Sequence, residues 1–82
     1  MSFREAIAAF YDPQRVVAKD VSHSSRRETR YFCFGLDQMQ SGILTVRFTY
    51  RHSRIRIIGA GYWRRGRQIY EQENSIQRRP HR

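Results

Sequence analysis

Residues 43–60 decide the fold: Ile43-Leu44-Thr45-Val46-Arg47-Phe48-Thr49-Tyr50, then Arg51-His52-Ser53, then Arg54-Ile55-Arg56-Ile57-Ile58-Gly59-Ala60. Side chains along a β-strand point alternately to opposite faces, so a period of two in polarity marks a strand with one buried side. Leu44, Val46, Phe48 and Tyr50 fall on one side and Thr45, Arg47 and Thr49 on the other; Ile55 and Ile57 oppose Arg54 and Arg56 in the same way. The short connection between the two runs implies a hairpin. Upstream, residues 29–36 form a further strand in which Tyr31, Cys33 and Gly35 alternate with Phe32, Phe34 and Leu36. Residues 37–42 join it to the hairpin as an antiparallel meander. One sheet face is expected to be apolar core and the other basic, with Tyr31 on the basic face.

The flanks predict helices. Ser2-Phe3-Arg4-Glu5 has the S-x-x-E form of a capping box, in which serine hydroxyl and glutamate carboxylate reciprocally accept from free N–H groups at a helix start. A helix over residues 3–10 places Phe3, Ile7 and Phe10 on one stripe. Asp12-Pro13 stops it, because proline has no N–H and restricts its predecessor. Residues 15–21, RVVAKDV, read as another strand leading into the polar loop 23–27. After Gly59-Ala60-Gly61, residues 62–73 read as a second helix with Tyr62, Trp63, Gly66, Ile69 and Tyr70 on one stripe. Glycine inside a helix costs about 1 kcal/mol against alanine, so Gly66 on that stripe indicates close approach to the sheet. The fold class is therefore α+β: an antiparallel sheet of three to four strands with an N-terminal and a C-terminal helix. Residues 1–74 make one domain, and residues 75–82, with Pro80 and three arginines, are expected to be a disordered basic tail.

Eighty-two residues, 39% hydrophobic and 28% charged, suffice for one small core. The longest run free of charge or strong polarity, residues 57–63, is seven long, against about 20 for a membrane-spanning helix. The first ten residues carry an acid and no apolar h-region, so no secretory signal is read and a cytoplasmic location is expected. A single cysteine, Cys33, excludes an internal disulfide and multi-cysteine zinc patterns. The net charge is +9, and 15 of the 16 basic residues are arginine. Residues 1–40 hold 6 basic and 5 acidic side chains, residues 41–82 hold 10 and 2. Arginine grips phosphate with a planar fork of donors and stacks on bases, so a phosphate-bearing partner is expected on the C-terminal half.

The succession of helix, Asp12-Pro13, strand, polar loop with His23, Glu28-Thr29-Arg30-Tyr31-Phe32, Phe48-Thr49-Tyr50, Ile55-Arg56-Ile57-Ile58-Gly59-Ala60 and an arginine-rich helix with Tyr70-Glu71 resembles the BrnT-type toxin family. The resemblance spans about residues 3–73 and is most specific over 54–71. It implies a RelE-like fold and an endoribonuclease toxin of a type II toxin-antitoxin pair, cleaving RNA without metal or other cofactor. It also implies neutralisation by a ribbon-helix-helix type antitoxin and leaves open a homodimer within the toxin-antitoxin complex. Two departures stand out. Family members typically begin with a further strand and helix, so this domain is expected to be N-terminally truncated relative to them. Where the family has Ser-Ala-Arg after Ile-Arg-Ile-Ile, this chain has Gly59-Ala60-Gly61. Both keep a second function in view, a non-catalytic module that binds RNA or antitoxin and acts as an operon co-repressor.

RNA cleavage without metal needs a base for the 2′-hydroxyl proton, positive charge for the phosphorane, and an acid for the leaving 5′-oxygen. Arg47, Arg56, Arg64 and Arg65 are the candidate catalytic cations, with His23 as the acid/base. Arg30, Tyr31, Arg54 and Arg67 are the candidate RNA-binding residues. Histidine titrates near neutrality; His23 sits in the loop matching a histidine-bearing loop of the family, whereas His52 reads as a turn residue and His81 as part of the tail. The competing role for the arginines is solvation of an exposed sheet face. Cys33 and Tyr70 are expected to be buried, Trp63 to pack helix on sheet, and Arg67 with Glu71 to form an ordinary i, i+4 pair.

Overall fold

The computed structural model describes residues 1–77. Helix α1 (Phe3–Tyr11) precedes strand β1 (Val16–Lys19), a 3₁₀ turn (Val21–His23), β2 (Arg30–Leu36), β3 (Ile43–Arg51), β4 (Arg54–Tyr62) and helix α2 (Arg64–Gln77). The strands form one antiparallel sheet in sequence order, so the α+β class holds. No described helix is long and apolar enough to cross a membrane.

The capping box forms as expected: Ser2 Oγ accepts from the Glu5 N–H and Glu5 Oε1 from the Ser2 N–H, both at 3.2 Å. The sheet-facing side of α1 differs from the predicted stripe. Ala6 and Ala9 are its buried residues, Ile7 and Phe10 are half-buried, and Phe3 is exposed. Gly35 is the cause: a Cβ there would run into the backbone of Ala9, so α1 meets β2 backbone to backbone and only small side chains fit between them.

Register assigns the two sheet faces. Tyr31, Cys33 and Gly35 pair with Phe48, Val46 and Leu44. This side packs under α1 into a core of Ala9, Cys33, Leu44, Val46 and Phe48, flanked by Phe10, Tyr31, Ile57 and Ala60. Tyr31 stacks on Phe48 at 5.3 Å between centroids, which corrects its expected place on the basic face. Phe32 and Phe34 pair instead with Arg47 and Thr45 on the other side. That side is not simply basic, because α2 lies on it: a Cβ at Gly66 would overlap Thr45 Oγ1 and reach the Phe34 ring at 2.9 Å. Close approach at Gly66 thus matches the sequence reading.

The register slips between Arg47 and Phe48: Phe48 pairs with Ile57 but Arg47 with Gly59, leaving Ile58 as the extra residue of a bulge. The slip places Gly59 and Gly61 beside Arg47 and Thr45, and pairing continues to Tyr62 opposite Leu44. Tyr62 is therefore in β4, and α2 starts at Arg64 rather than at residue 62. The helix runs through Gln77, so residues 75–77 are helical where a disordered tail was expected; residues 78–82 of that tail lie outside the described residues. At the β3–β4 turn, Arg51 pairs with Arg54, and His52 and Ser53 take left-handed φ values of 53° and 65°, as a tight hairpin turn requires.

Asp12 caps α1 and ties three elements together. Its carboxylate accepts from the N–H of Gln14 (2.8 Å), the N–H of Leu36 (2.9 Å) and the hydroxyl of Tyr70 (2.6 Å). One turn on, Asn74 Nδ2 donates to the carbonyls of Gln14 and Tyr70, which anchors α2 over the β1 side of the sheet.

Candidate active site

The segment between β1 and β2 is held by its own polar groups. The Asp20 N–H donates to the Arg30 carbonyl at 2.7 Å, and Ser24 Oγ donates to the Asp20 carbonyl at 2.7 Å while accepting from the Arg30 N–H at 2.9 Å. These bonds fix the 3₁₀ turn against the head of β2 and set His23 beside Asp20. His23 Nδ1 lies 2.9 Å from Asp20 Oδ2, and Ser22 Oγ donates to Asp20 Oδ1 at 3.1 Å. Asp20 is only 3% exposed. Burial pushes its carboxyl up, but hydrogen bonds from His23 and Ser22 and the charges of His23 and Arg47 outweigh this and hold it below the ordinary carboxylate range. An ionised carboxylate can only accept, so Nδ1 carries a proton and Nε2 is the nitrogen left to exchange one.

Arg47 completes the group from β3. Its Nε is 4.0 Å from Asp20 Oδ2, beyond hydrogen-bond distance, and is buried with no hydrogen-bond partner among the described residues. His23, Asp20, Ser22 and Arg47 line a cleft of about 610 Å³ together with Phe32, Thr45, Trp63 and the β4 residues 59–62. Gly59 and Gly61 leave its floor bare: a Cβ at either would meet nothing within 4 Å. Phe32 and Trp63 form its aromatic wall, with centroids 5.7 Å apart.

The structure brings together two of the predicted site residues, His23 and Arg47. Arg56, opposite Thr49, and Arg54, opposite Arg51, are exposed on the same sheet face towards the hairpin end. Arg30 also pairs with Thr49 but is engaged by Glu28 at 3.0 Å, a carboxylate that Arg51 approaches to 3.9 Å. Arg64 and Arg65 are exposed at the start of α2. Arg64 and Arg67 border a separate depression of about 260 Å³ beside Gly42 and Ile43, and Arg67 makes the expected pair with Glu71 at 3.2 Å. Tyr31 is on the opposite face. The sequence reading missed Asp20, for which the only signal is its i, i+3 spacing to His23, and missed Phe32 as a cleft residue. Among the described residues no group of three or more His, Cys, Asp or Glu is gathered as for a metal ion.

Fold and cleft together define a small basic α+β protein in which a histidine, a buried carboxylate and an arginine converge on one open site. The chain belongs to the BrnT family: the family model described as the ribonuclease toxin BrnT of type II toxin-antitoxin systems matches residues 1–66, from α1 through the whole sheet to Gly66. Membership implies RNA as the substrate and a protein antitoxin as partner. No curated protein matches the chain, and no solved structure does.

Proposed function

We propose that the protein is a metal-independent endoribonuclease whose chemistry takes place in the His23–Arg47 cleft. The observation that carries this reading is the convergence on one open cleft of an Asp20-oriented imidazole and a half-exposed arginine whose Nε is buried without a hydrogen-bond partner among the described residues. Nε2 of His23 takes the proton of the 2′-hydroxyl as O2′ attacks the adjacent phosphorus. Arg47, held in place on β3, balances the charge gathering on the phosphorane, as a fixed cation does without reorganising during the reaction. The bond to the 5′-oxygen breaks, leaving a 2′,3′-cyclic phosphate, and solvent in the open cleft protonates the departing oxygen. Arg54 and Arg56 extend the positive surface for flanking phosphates. The antitoxin is of ribbon-helix-helix type and neutralises the toxin, in the cytoplasm, by laying an acidic segment over the cleft.

Purified protein incubated with RNA in EDTA tests this. Cleavage to cyclic-phosphate ends is expected, falling by at least about 100-fold in His23→Ala and Arg47→Ala. Intact RNA with folded wild-type protein, or full cleavage by both variants, overturns the catalytic assignment. A second reading has its own observation. Gly61 stands where the family has arginine, and neither Arg64 nor Arg65 lines the cleft in its stead. A non-catalytic member that binds RNA or antitoxin and co-represses its operon would retain RNA on a filter while leaving it uncut.

A further inference from the structure

The cleft contains more than the proton-transfer group needs. Cross-strand pairing puts Phe32, Arg47 and Gly59 in one row over the sheet: an aromatic ring, a guanidinium and a bare backbone. The Phe32 ring centroid lies 5.6 Å from that of the buried Phe34 and 5.7 Å from that of Trp63, and Trp63 is 46% exposed. None of the cleft's glycines has positive φ, and a Cβ at Gly59 or Gly61 meets nothing. These glycines serve neither a turn nor a close packing contact, and what they preserve is empty space beside the rings.

Resting on the ribonuclease reading, we infer that Phe32 and Trp63, over the Gly59 and Gly61 floor, form a stacking subsite for one unpaired base of single-stranded RNA, its phosphate held by Arg47. Neighbouring strands lie about 4.8 Å apart, so ring and guanidinium are within reach of one nucleotide. A flat ring suits a space bounded by an aromatic wall and a side-chain-free strand, and every base offers such a face. A duplex keeps its bases stacked and paired, and so cannot fill this space without extruding one. The subsite makes the protein selective for unpaired RNA whatever the base identity.

Trp63 is the chain's one tryptophan, so its fluorescence reports the subsite directly. The full chain is titrated with a 2′-fluoro single-stranded oligonucleotide, which lacks the attacking hydroxyl, with the same strand in duplex, and with an abasic oligomer of equal length. Quenching by the single strand is expected, with binding about tenfold tighter than for the duplex or abasic oligomer, the order of one base–aromatic stack. Gly61→Val, whose added side chain has room and suits a strand, is expected to keep the fold by circular dichroism and abolish the preference. Phe32→Leu is expected to weaken it similarly. Equal affinity for the three probes, or unchanged fluorescence at saturation, overturns the subsite. Cleavable RNA assayed in parallel separates the two claims. Cutting with silent Trp63 removes the subsite and leaves the ribonuclease, whereas quenching with single-strand preference but no cutting leaves the subsite and removes the catalysis.

Discussion

Replacing Asp12 with alanine should cost a large part of the protein's stability, although Asp12 is outside the cleft. Three donors converge on its carboxylate, from Gln14, Leu36 and Tyr70. Gln14 is half-buried at the surface and water can replace the lost acceptor. The Leu36 N–H and the Tyr70 hydroxyl bridge to β2 and α2 and would lose a charged acceptor in poorly solvated surroundings. Each such bond contributes about 1.5 to 3 kcal/mol, so losing two in Asp12→Ala should cost about 3 to 6 kcal/mol. A domain of this size holds roughly 4 to 12 kcal/mol in all, and the melting temperature should fall by about 15 °C or more. Tyr70→Phe should cost roughly 1.5 to 3 kcal/mol, and combining it with Asp12→Asn should give clearly less than the sum, because the two groups share one bond. Burial pushes the Asp12 carboxyl up, but hydrogen bonds from Tyr70, Leu36 and Gln14 and the Arg15 charge prevail, so it lies below its ordinary range. A depressed folded-state pKa stabilises above the unfolded value, near ~4, and that contribution disappears as pH falls through the folded value. Wild-type melting should therefore drop steeply below about pH 4, and Asp12→Asn should flatten that drop in part, since Asp20 is depressed too, as is Asp37 in the β2–β3 turn, whose carboxylate accepts from the Ser41 N–H and the Tyr62 hydroxyl. The measurement is urea and thermal unfolding at pH 7 and across pH 3 to 6. A melting temperature for Asp12→Ala within about 2 °C of wild type, or strict additivity of the double variant, would refute the argument.

Asp20→Asn should keep the fold but lower RNA cleavage about 100- to 10,000-fold, with the 2′-fluoro strand still quenching Trp63; retained turnover would separate Asp20 from the chemistry. Burial pushes the Cys33 thiol up to about 12, and Cys33 has no exposed surface. Native protein at pH 8 should therefore resist iodoacetamide and react fully in urea, and rapid native labelling, read by mass spectrometry, would contradict this. Gly66→Ala should cost roughly 1 to 3 kcal/mol by overpacking against Thr45 and Phe34, whereas Gly61→Ala should leave urea stability unchanged or raised; equal costs at the two sites would rule out this account of the α2–sheet contact.

What could be read from the residues follows from which signals are periodic. Strands β3 and β4 were legible because one alternate set in each is apolar and the other polar, so a period of two identifies both the strand and its faces. In β2 both alternate sets are largely apolar, Tyr31, Cys33 and Gly35 against Phe32, Phe34 and Leu36, and only pairing with β3 decides which set joins the α1 core. That ambiguity misplaced Tyr31 and concealed Phe32 as a wall of the cleft. Tyr62 and Trp63 fit a helical stripe as well as a strand end, and the bulge at Ile58, which extends β4 to Tyr62, has no composition of its own. Asp20 escaped notice because a 3₁₀ turn is too short for periodicity. Gly66 was legible because a glycine in mid-helix needs a steric reason.

The same ambiguity changes the meaning of the charge. An entirely solvated basic face would hold Arg47, Arg54 and Arg56 as equivalent surface cations, each screened by water and salt. Helix α2 lies across the Phe34–Thr45 end of that face and leaves the hairpin end open, so the three arginines differ. Arg54 and Arg56 remain exposed, whereas Arg47 stands at the boundary: its side chain is half-exposed, but its Nε is buried and has no hydrogen-bond partner among the described residues, beside a buried carboxylate. A charge acts more strongly on a neighbouring anion where the effective dielectric is lower. Under the proposed ribonuclease function, the exposed arginines serve long-range attraction of RNA and Arg47 the charge developing at one phosphate. The step from a basic surface to a candidate active site thus comes from where α2 ends its cover, which is set by Gly66 against Phe34 and by the Asp12–Tyr70 bond that anchors the helix.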